Sequence, residues 1–140
     1  MHMRLRAYVG ENPASSYAWR EPPIEAAFNR PGTSEVITHM CMYNKKRPDT
    51  REFIRKPTRL KGTKEVIDSC SRRCDGSHEH CVIEGSMKLE NGKRMNVSEW
   101  AGGYTKAFAM QLLKGAERFL EKHHKKSTRG RCRKDMGTYR

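Results

Sequence analysis

The sequence has few of the residues that build a hydrophobic core, and it contains no long apolar run. Leu, Ile, Val and Phe together supply 20 of the 140 residues, a share that predicts weak folding unless a metal or a partner protein adds stability. No segment approaches the roughly 20 apolar residues of a membrane span, and no signal-peptide pattern opens the chain. We therefore expect an intracellular protein without a membrane partner.

Acidic residues are scarce relative to basic ones. Lys and Arg number 29 against 16 Asp and Glu, a formal net charge of +13. Residues 114–140 alone carry ten basic and three acidic residues, so more than half of the excess charge lies in the last fifth of the chain. Self-repulsion of such charge opposes folding, and an anionic partner relieves it. The pattern predicts nucleic acid as the partner, with RNA favoured over DNA.

The distribution of apolar residues predicts a small mixed α/β fold. Alternation indicates strands at residues 3–9 and 35–43. Residues 52–60 read as an edge strand interrupted at Pro57, and residues 82–97 as a hairpin that turns at Asn-Gly. We therefore expect a small sheet packed against a few helices.

The clearest helix is the last one. Prolines open a short helix at residues 22–30, Thr63 is a cap for another, and Thr105 caps the long C-terminal helix. Its apolar stripe at helical spacing consists of Phe108, Leu112, Ala116, Phe119 and Leu120. We expect one domain over residues 1–124, followed by a basic tail at 125–140 that orders on an anion.

Cysteine and histidine cluster in the middle of the chain. The five cysteines are odd in number and irregularly spaced, which in an intracellular chain favours metal binding over disulfides. Cys74, His78 and His80 lie within seven residues, and a fourth ligand could come from Cys41, Cys70 or Cys81. We favour Cys41, because it would tie a distant strand to the cluster. Four protein ligands make a closed, structural zinc site rather than a catalytic one.

The segment 74–78 also spells the signature of the CDGSH iron–sulfur family. That family needs two further cysteine ligands upstream and a proline before the signature. Those positions hold Thr63, Glu65 and Arg72 here. Two of the four cluster ligands would be missing, so zinc is the better hypothesis.

Several motifs together resemble a known family. The segment 11–19 begins Glu-Asn-Pro, and a predicted strand with a cysteine at position 41 follows it. A basic segment at 55–58, which contains Lys-Pro-Thr, and the Cys-x-Gly-x-His-x-His cluster at 74–80 come next. This order resembles the class I methyltransferase-like domains related to DNA cytosine methyltransferases, which occur in large DNA viruses, phages and retrotransposon polyproteins. The resemblance covers residues 8–86, a little over half of the chain.

The resemblance implies a truncated domain. It makes Glu11 the residue matching the glutamate that holds the target base in those enzymes. The family's glycine-rich cofactor loop and its proline–cysteine nucleophile motif are both absent. We therefore expect no S-adenosylmethionine and no methyl transfer by this chain, which would be the C-terminal part of such a domain.

Two basic segments are the candidate nucleic-acid-binding residues. Tyr43 and Phe53 interleave with the first, as aromatic residues do that stack on unpaired bases. The candidates are Lys45, Lys46, Arg47, Arg55, Lys56, Arg59, Lys125, Lys126, Arg129, Arg131, Arg133 and Lys134. Their charges would contact phosphates without reading the sequence.

These observations favour a non-catalytic nucleic-acid-binding module with a structural zinc. Such a protein would suit a ribonucleoprotein, for example as a lineage-specific ribosomal protein, together with other proteins of the assembly. Two alternatives are a fragment of a methyltransferase-like retroelement or viral protein, and a scaffold subunit that docks through the apolar stripe of its last helix.

Overall fold

The computed structural model describes the backbone of residues 6–135 and the side chains of residues 6–124. It is a mixed α/β domain with two small antiparallel sheets, which confirms the predicted fold class. The strands are β1 (Val9–Pro13), β2 (Thr33–His39), β3 (Pro57–Thr63), β4 (Ser86–Lys88) and β5 (Arg94–Asn96). The α-helices are α1 (Pro22–Phe28), α2 (Lys64–Ile67), α3 (Val97–Gly102) and α4 (Lys106–Asp135).

The larger sheet has the order β1-β3-β2, so β3 is its central strand. The predicted edge strand over 52–60 is therefore wrong in both position and role. Pro57 does not interrupt the strand but begins it, at the position where a missing N–H group costs least. The first strand also lies later than predicted: Glu11, Asn12 and Pro13 do not end it but pair with Leu60, Arg59 and Thr58.

The second strand is shorter than the alternation predicted. β2 ends at His39, and a 3-10 turn over Met40–Tyr43 redirects the chain. Asn44 closes this turn in the left-handed conformation, with φ of 62°. The predicted hairpin is confirmed, since β4 and β5 pair and Gly92 adopts a φ of +81° in the turn between them.

The core lies between the larger sheet and α4. Its buried members are Met40, Tyr43, Leu60, Val66, Ile67, Cys70, Phe108 and Phe119. Tyr43 packs edge-on against Phe108 with ring centroids 5.2 Å apart, and its hydroxyl donates to the Cys70 carbonyl at 2.6 Å. Tyr43 therefore cannot stack on a nucleic-acid base, contrary to the prediction from sequence.

Helix α4 begins where the sequence predicted and continues past the predicted end. The Phe108 N–H donates to Thr105 Oγ1 at 3.2 Å, which confirms the cap, but the helix runs beyond His124 to Asp135. Leu120 is 65% exposed and is not part of the buried stripe. Successive residues are rotated by about 100° around a helix, so Phe119 and Leu120 cannot both face the core.

Candidate metal centre

Cys41 lies in the 3-10 turn directly after β2. Its side chain is buried, with 3% of its surface exposed. The turn is held by the Asn44 N–H, which donates to the Cys41 carbonyl at 3.2 Å. The thiol therefore has a fixed position at the end of the larger sheet.

Hydrogen bonds to the end of β2 hold Cys74 beside Cys41. The Cys74 N–H donates to His39 Nδ1 at 2.8 Å. The His39 N–H donates to the Arg72 carbonyl at 2.8 Å, and the Arg72 N–H donates to Thr38 Oγ1 at 3.1 Å. The segment 72–74 thus runs along β2 although it is not part of the sheet.

A tight loop carries the chain from Cys74 to His78. The Ser77 N–H donates to Asp75 Oδ1 at 3.0 Å, and Gly76 has a φ of +74°, which few other residues adopt without strain. The Gly76 N–H points at the Cys74 sulfur at 3.5 Å. A backbone donor in this position stabilises a thiolate, so the loop suits a metal-bound cysteine.

Phe53 supports the two histidines. Its ring stacks on His78 with centroids 4.0 Å apart, and its backbone forms a parallel bridge with His80. The Cys81 N–H also donates to the Phe53 carbonyl at 2.9 Å. A base-stacking role was predicted for Phe53, but the structure places it against the candidate metal ligands.

The donor atoms of the four predicted ligands lie close together. The donor atoms of Cys41, Cys74, His78 and His80 all lie within 4.8 Å of one another. Cys74 Sγ lies 3.6 Å from His78 Nε2 and 3.5 Å from His80 Nε2. Zinc–sulfur and zinc–nitrogen bonds of about 2.3 and 2.05 Å place tetrahedral sulfur and nitrogen ligands about 3.5 Å apart. This group could therefore hold a metal ion.

The protonation states of Cys41 and His80 also affect metal binding. Burial, with a smaller contribution from the hydrogen bond to Cys74, raises the pKa of the Cys41 thiol to about 11. Burial and then the neighbouring His78 lower the pKa of His80. His80 is thus held in the neutral form that binds metals, whereas Cys41 must lose its proton to the solvent when a metal binds.

The other cysteines considered as ligands lie elsewhere. Cys70 is fully buried in the core, and its thiol lies 3.7 Å from the Val66 carbonyl. Cys81 is half-buried, with Glu52 and Arg47 as its charged neighbours. Among the side chains of residues 6–124, only the predicted set of four ligands meets at one point.

Much of the first basic segment is engaged within the protein. Lys45 is buried, donates to the Gly103 carbonyl at 2.9 Å and lies 4.8 Å from the Trp100 ring centroid. Burial, and then the charge of Lys56, lower the pKa of Lys45. Lys46 lies over the Phe53 ring at 4.6 Å.

Three further cations of this segment face carboxylates. Arg47 makes a two-point ion pair with Asp49, at 2.7 and 2.8 Å. Lys56 lies 3.8 Å from Glu11, and Arg59 lies 3.2 Å from Glu35.

Arg55 differs from these residues, since its side chain is exposed. The basic candidates of the second segment lie outside the described side chains. They are Lys125, Lys126, Arg129, Arg131, Arg133 and Lys134.

Glu11 lies in β1, close to a tyrosine that the sequence did not single out. Its Oε2 accepts a hydrogen bond from the Tyr104 hydroxyl at 2.5 Å. His39 was not singled out either, although a histidine two positions before a cysteine ligand is a simple signal for a supporting residue.

Among the described residues, no helix has both the length and the apolar character needed to cross a membrane. Comparisons of the chain with protein-family models, with curated proteins and with solved structures gave no match.

Proposed function

We propose that this chain is a non-catalytic nucleic-acid-binding module whose fold is fastened by a structural zinc ion. The observation that carries the metal part of the proposal is the convergence of two cysteines and two histidines with donor atoms within 4.8 Å of one another. Zinc with four protein ligands has no open position for a substrate or a reactive water. The centre would therefore stabilise the fold rather than catalyse a reaction.

The position of the cluster explains why a metal is useful there. Residues 71–85 contain no helix or strand, and they are held mainly by hydrogen bonds to β2 and to Phe53. A zinc ion would join this segment to Cys41 at the end of β2. Because Cys41 is distant in sequence from the other three ligands, the complete site forms only in the folded chain, and the free energy of zinc binding contributes directly to folding.

The charge of the protein supports the nucleic-acid part of the proposal. Residues 6–124 still carry 21 Lys and Arg against 15 Asp and Glu, and most of the remaining excess belongs to residues 125–140 of the sequence. The exposed cations include Arg51, Arg55 and Arg73. We propose that they contact phosphates and that the protein is a small component of a ribonucleoprotein.

The test is binding of fluorescently labelled RNA and DNA by the zinc-loaded chain over a series of salt concentrations. We expect the logarithm of the affinity to fall linearly with the logarithm of the salt concentration, with a slope that corresponds to several released counterions. Negligible binding at low salt would overturn the nucleic-acid part of the proposal and leave a scaffold role.

A further inference from the structure

A groove of about 690 Å³ lies on the surface away from the four metal ligands. Residues of the loop over 44–51, of the β4–β5 hairpin and of the segment 99–105 line it. Its volume lies within the range of about 300 to 1,000 Å³ found for small-molecule sites.

One wall of the groove is fixed before any ligand arrives. Trp100 Nε1 donates to the Lys46 carbonyl at 3.0 Å. The buried ammonium of Lys45 lies over the same indole and donates to the Gly103 carbonyl at 2.9 Å. These contacts tie α3 to the loop at 44–51 and brace this wall of the groove.

Tyr104 presents an aromatic ring at the rim of the groove. Tyr104 as a whole is 55% exposed, although two contacts hold its side chain. Its hydroxyl donates to Glu11 at 2.5 Å, and its ring lies 5.4 Å from that of Phe108. An exposed aromatic ring with a fixed orientation is the usual platform on which an unpaired base stacks.

Arg51 supplies a cation to the lining of the groove. It has a left-handed φ of 61°, unusual for a residue other than glycine. Its N–H donates to the Arg47 carbonyl at 2.9 Å, and the ion pair of Arg47 with Asp49 braces the same turn. Among the described residues, no carboxylate lies within ion-pair distance of Arg51 or of Lys46. Arg51 is exposed and thus remains available for a phosphate, whereas Lys46 lies over the Phe53 ring.

Two acidic residues limit which ligands the groove can bind. Glu90 and Glu99 also line the groove, on the side of the hairpin and α3. A long phosphate backbone would meet these carboxylates, whereas one nucleotide could place its phosphate on the cationic side alone. We propose that the groove binds a single unpaired nucleotide of an RNA or DNA strand, with its base on Tyr104 and its phosphate at Arg51. This inference rests on the proposed nucleic-acid binding and narrows it to single strands.

The test compares a labelled single-stranded RNA 12-mer, its duplex and free AMP, each titrated against the zinc-loaded full chain. We expect the strand to bind more tightly than the duplex or AMP. Tyr104→Ala should weaken strand binding by about fivefold to a hundredfold, the effect of losing one stacked base. Tyr104→Phe should restore most of this loss, because it keeps the ring. Arg51→Gln should lower the salt slope by about one.

Matched controls are Tyr17→Ala, which removes a tyrosine that is 78% exposed, and Arg30→Gln, which removes an exposed cation. Neither residue lines the groove. If the wild type binds the strand but Tyr104→Ala matches Tyr17→Ala, the groove assignment is overturned while nucleic-acid binding stands. Binding of the duplex or of AMP more tightly than the strand also overturns it. No binding of any nucleic acid would overturn both proposals.

Discussion

His39 Nδ1 accepts the backbone N–H of Cys74 at a distance of 2.8 Å. The two residues are 35 positions apart, and this contact sets the Cys74 sulfur next to Cys41. The imidazole must therefore carry its proton on Nε2. His39 acts as a support for the metal ligands, without being a ligand itself.

Replacement of His39 by alanine should weaken zinc binding without removing a ligand. Loss of supporting hydrogen bonds around metal sites typically costs about tenfold to a hundredfold in affinity. His39→Asn should recover part of this loss, since its amide oxygen can accept the same N–H. Competition with a chromogenic zinc chelator measures both variants. Equal affinities for His39→Ala and the wild type would show that the contact does not position Cys74.

Gly115 allows α4 to approach the backbone of α2. A Cβ atom at this position would lie 2.1 Å from the Val66 carbonyl oxygen. Alanine usually stabilises a helix by about 1 kcal/mol relative to glycine, but overpacking costs about 1–3 kcal/mol. We therefore expect Gly115→Ala to lower the free energy of unfolding.

The matched control is Gly102→Ala at the end of α3, where a Cβ atom would meet nothing within 4 Å. Urea denaturation should give a free energy of unfolding for this control close to that of the wild type. A Gly115→Ala protein as stable as Gly102→Ala would contradict the close approach of α4 and α2.

Tyr104 should make folding sensitive to high pH. Burial, followed by the hydrogen bond to Glu11, raises the pKa of Tyr104 from 10 to about 12. A folded pKa above the unfolded one favours the neutral form in the folded protein, so this stabilisation is complete below pH 10. It is lost as the pH rises through about 12.

Absorbance of the phenolate provides the measurement. The difference between titrations of the wild type and of Tyr104→Phe should show one group that ionises near pH 12. The other tyrosines are present in both proteins and cancel. A difference curve centred near pH 10 would mean that Tyr104 is not held against Glu11.

The metal ligands could be predicted from sequence because three of them are local. A tight loop brings Cys74 and His78 together whatever the rest of the fold does, and His80 follows on the same segment. Cys41 was a choice among three cysteines. The choice of Cys41 depended on where the second strand ends. The alternation pattern located that end only approximately, since β2 ends at His39.

The roles of the basic residues could not be predicted in the same way. Charge density does not reveal which cations are already paired, because the partners are distant in sequence. Lys45 meets Gly103 and Trp100, and Arg59 meets Glu35. Tyr43 failed as a stacking candidate for a related reason: the sequence cannot show that its ring fits against Phe108.

The stoichiometry of zinc tests the central claim most directly. Native mass spectrometry of the purified chain should show one zinc ion bound to the wild type and to Cys81→Ser, and none to Cys74→Ser. Removal of zinc from the wild type with a chelator should lower its melting temperature to that of Cys74→Ser. A wild type that binds no zinc from a zinc-containing buffer, or a Cys74→Ser variant that keeps it, would contradict the account.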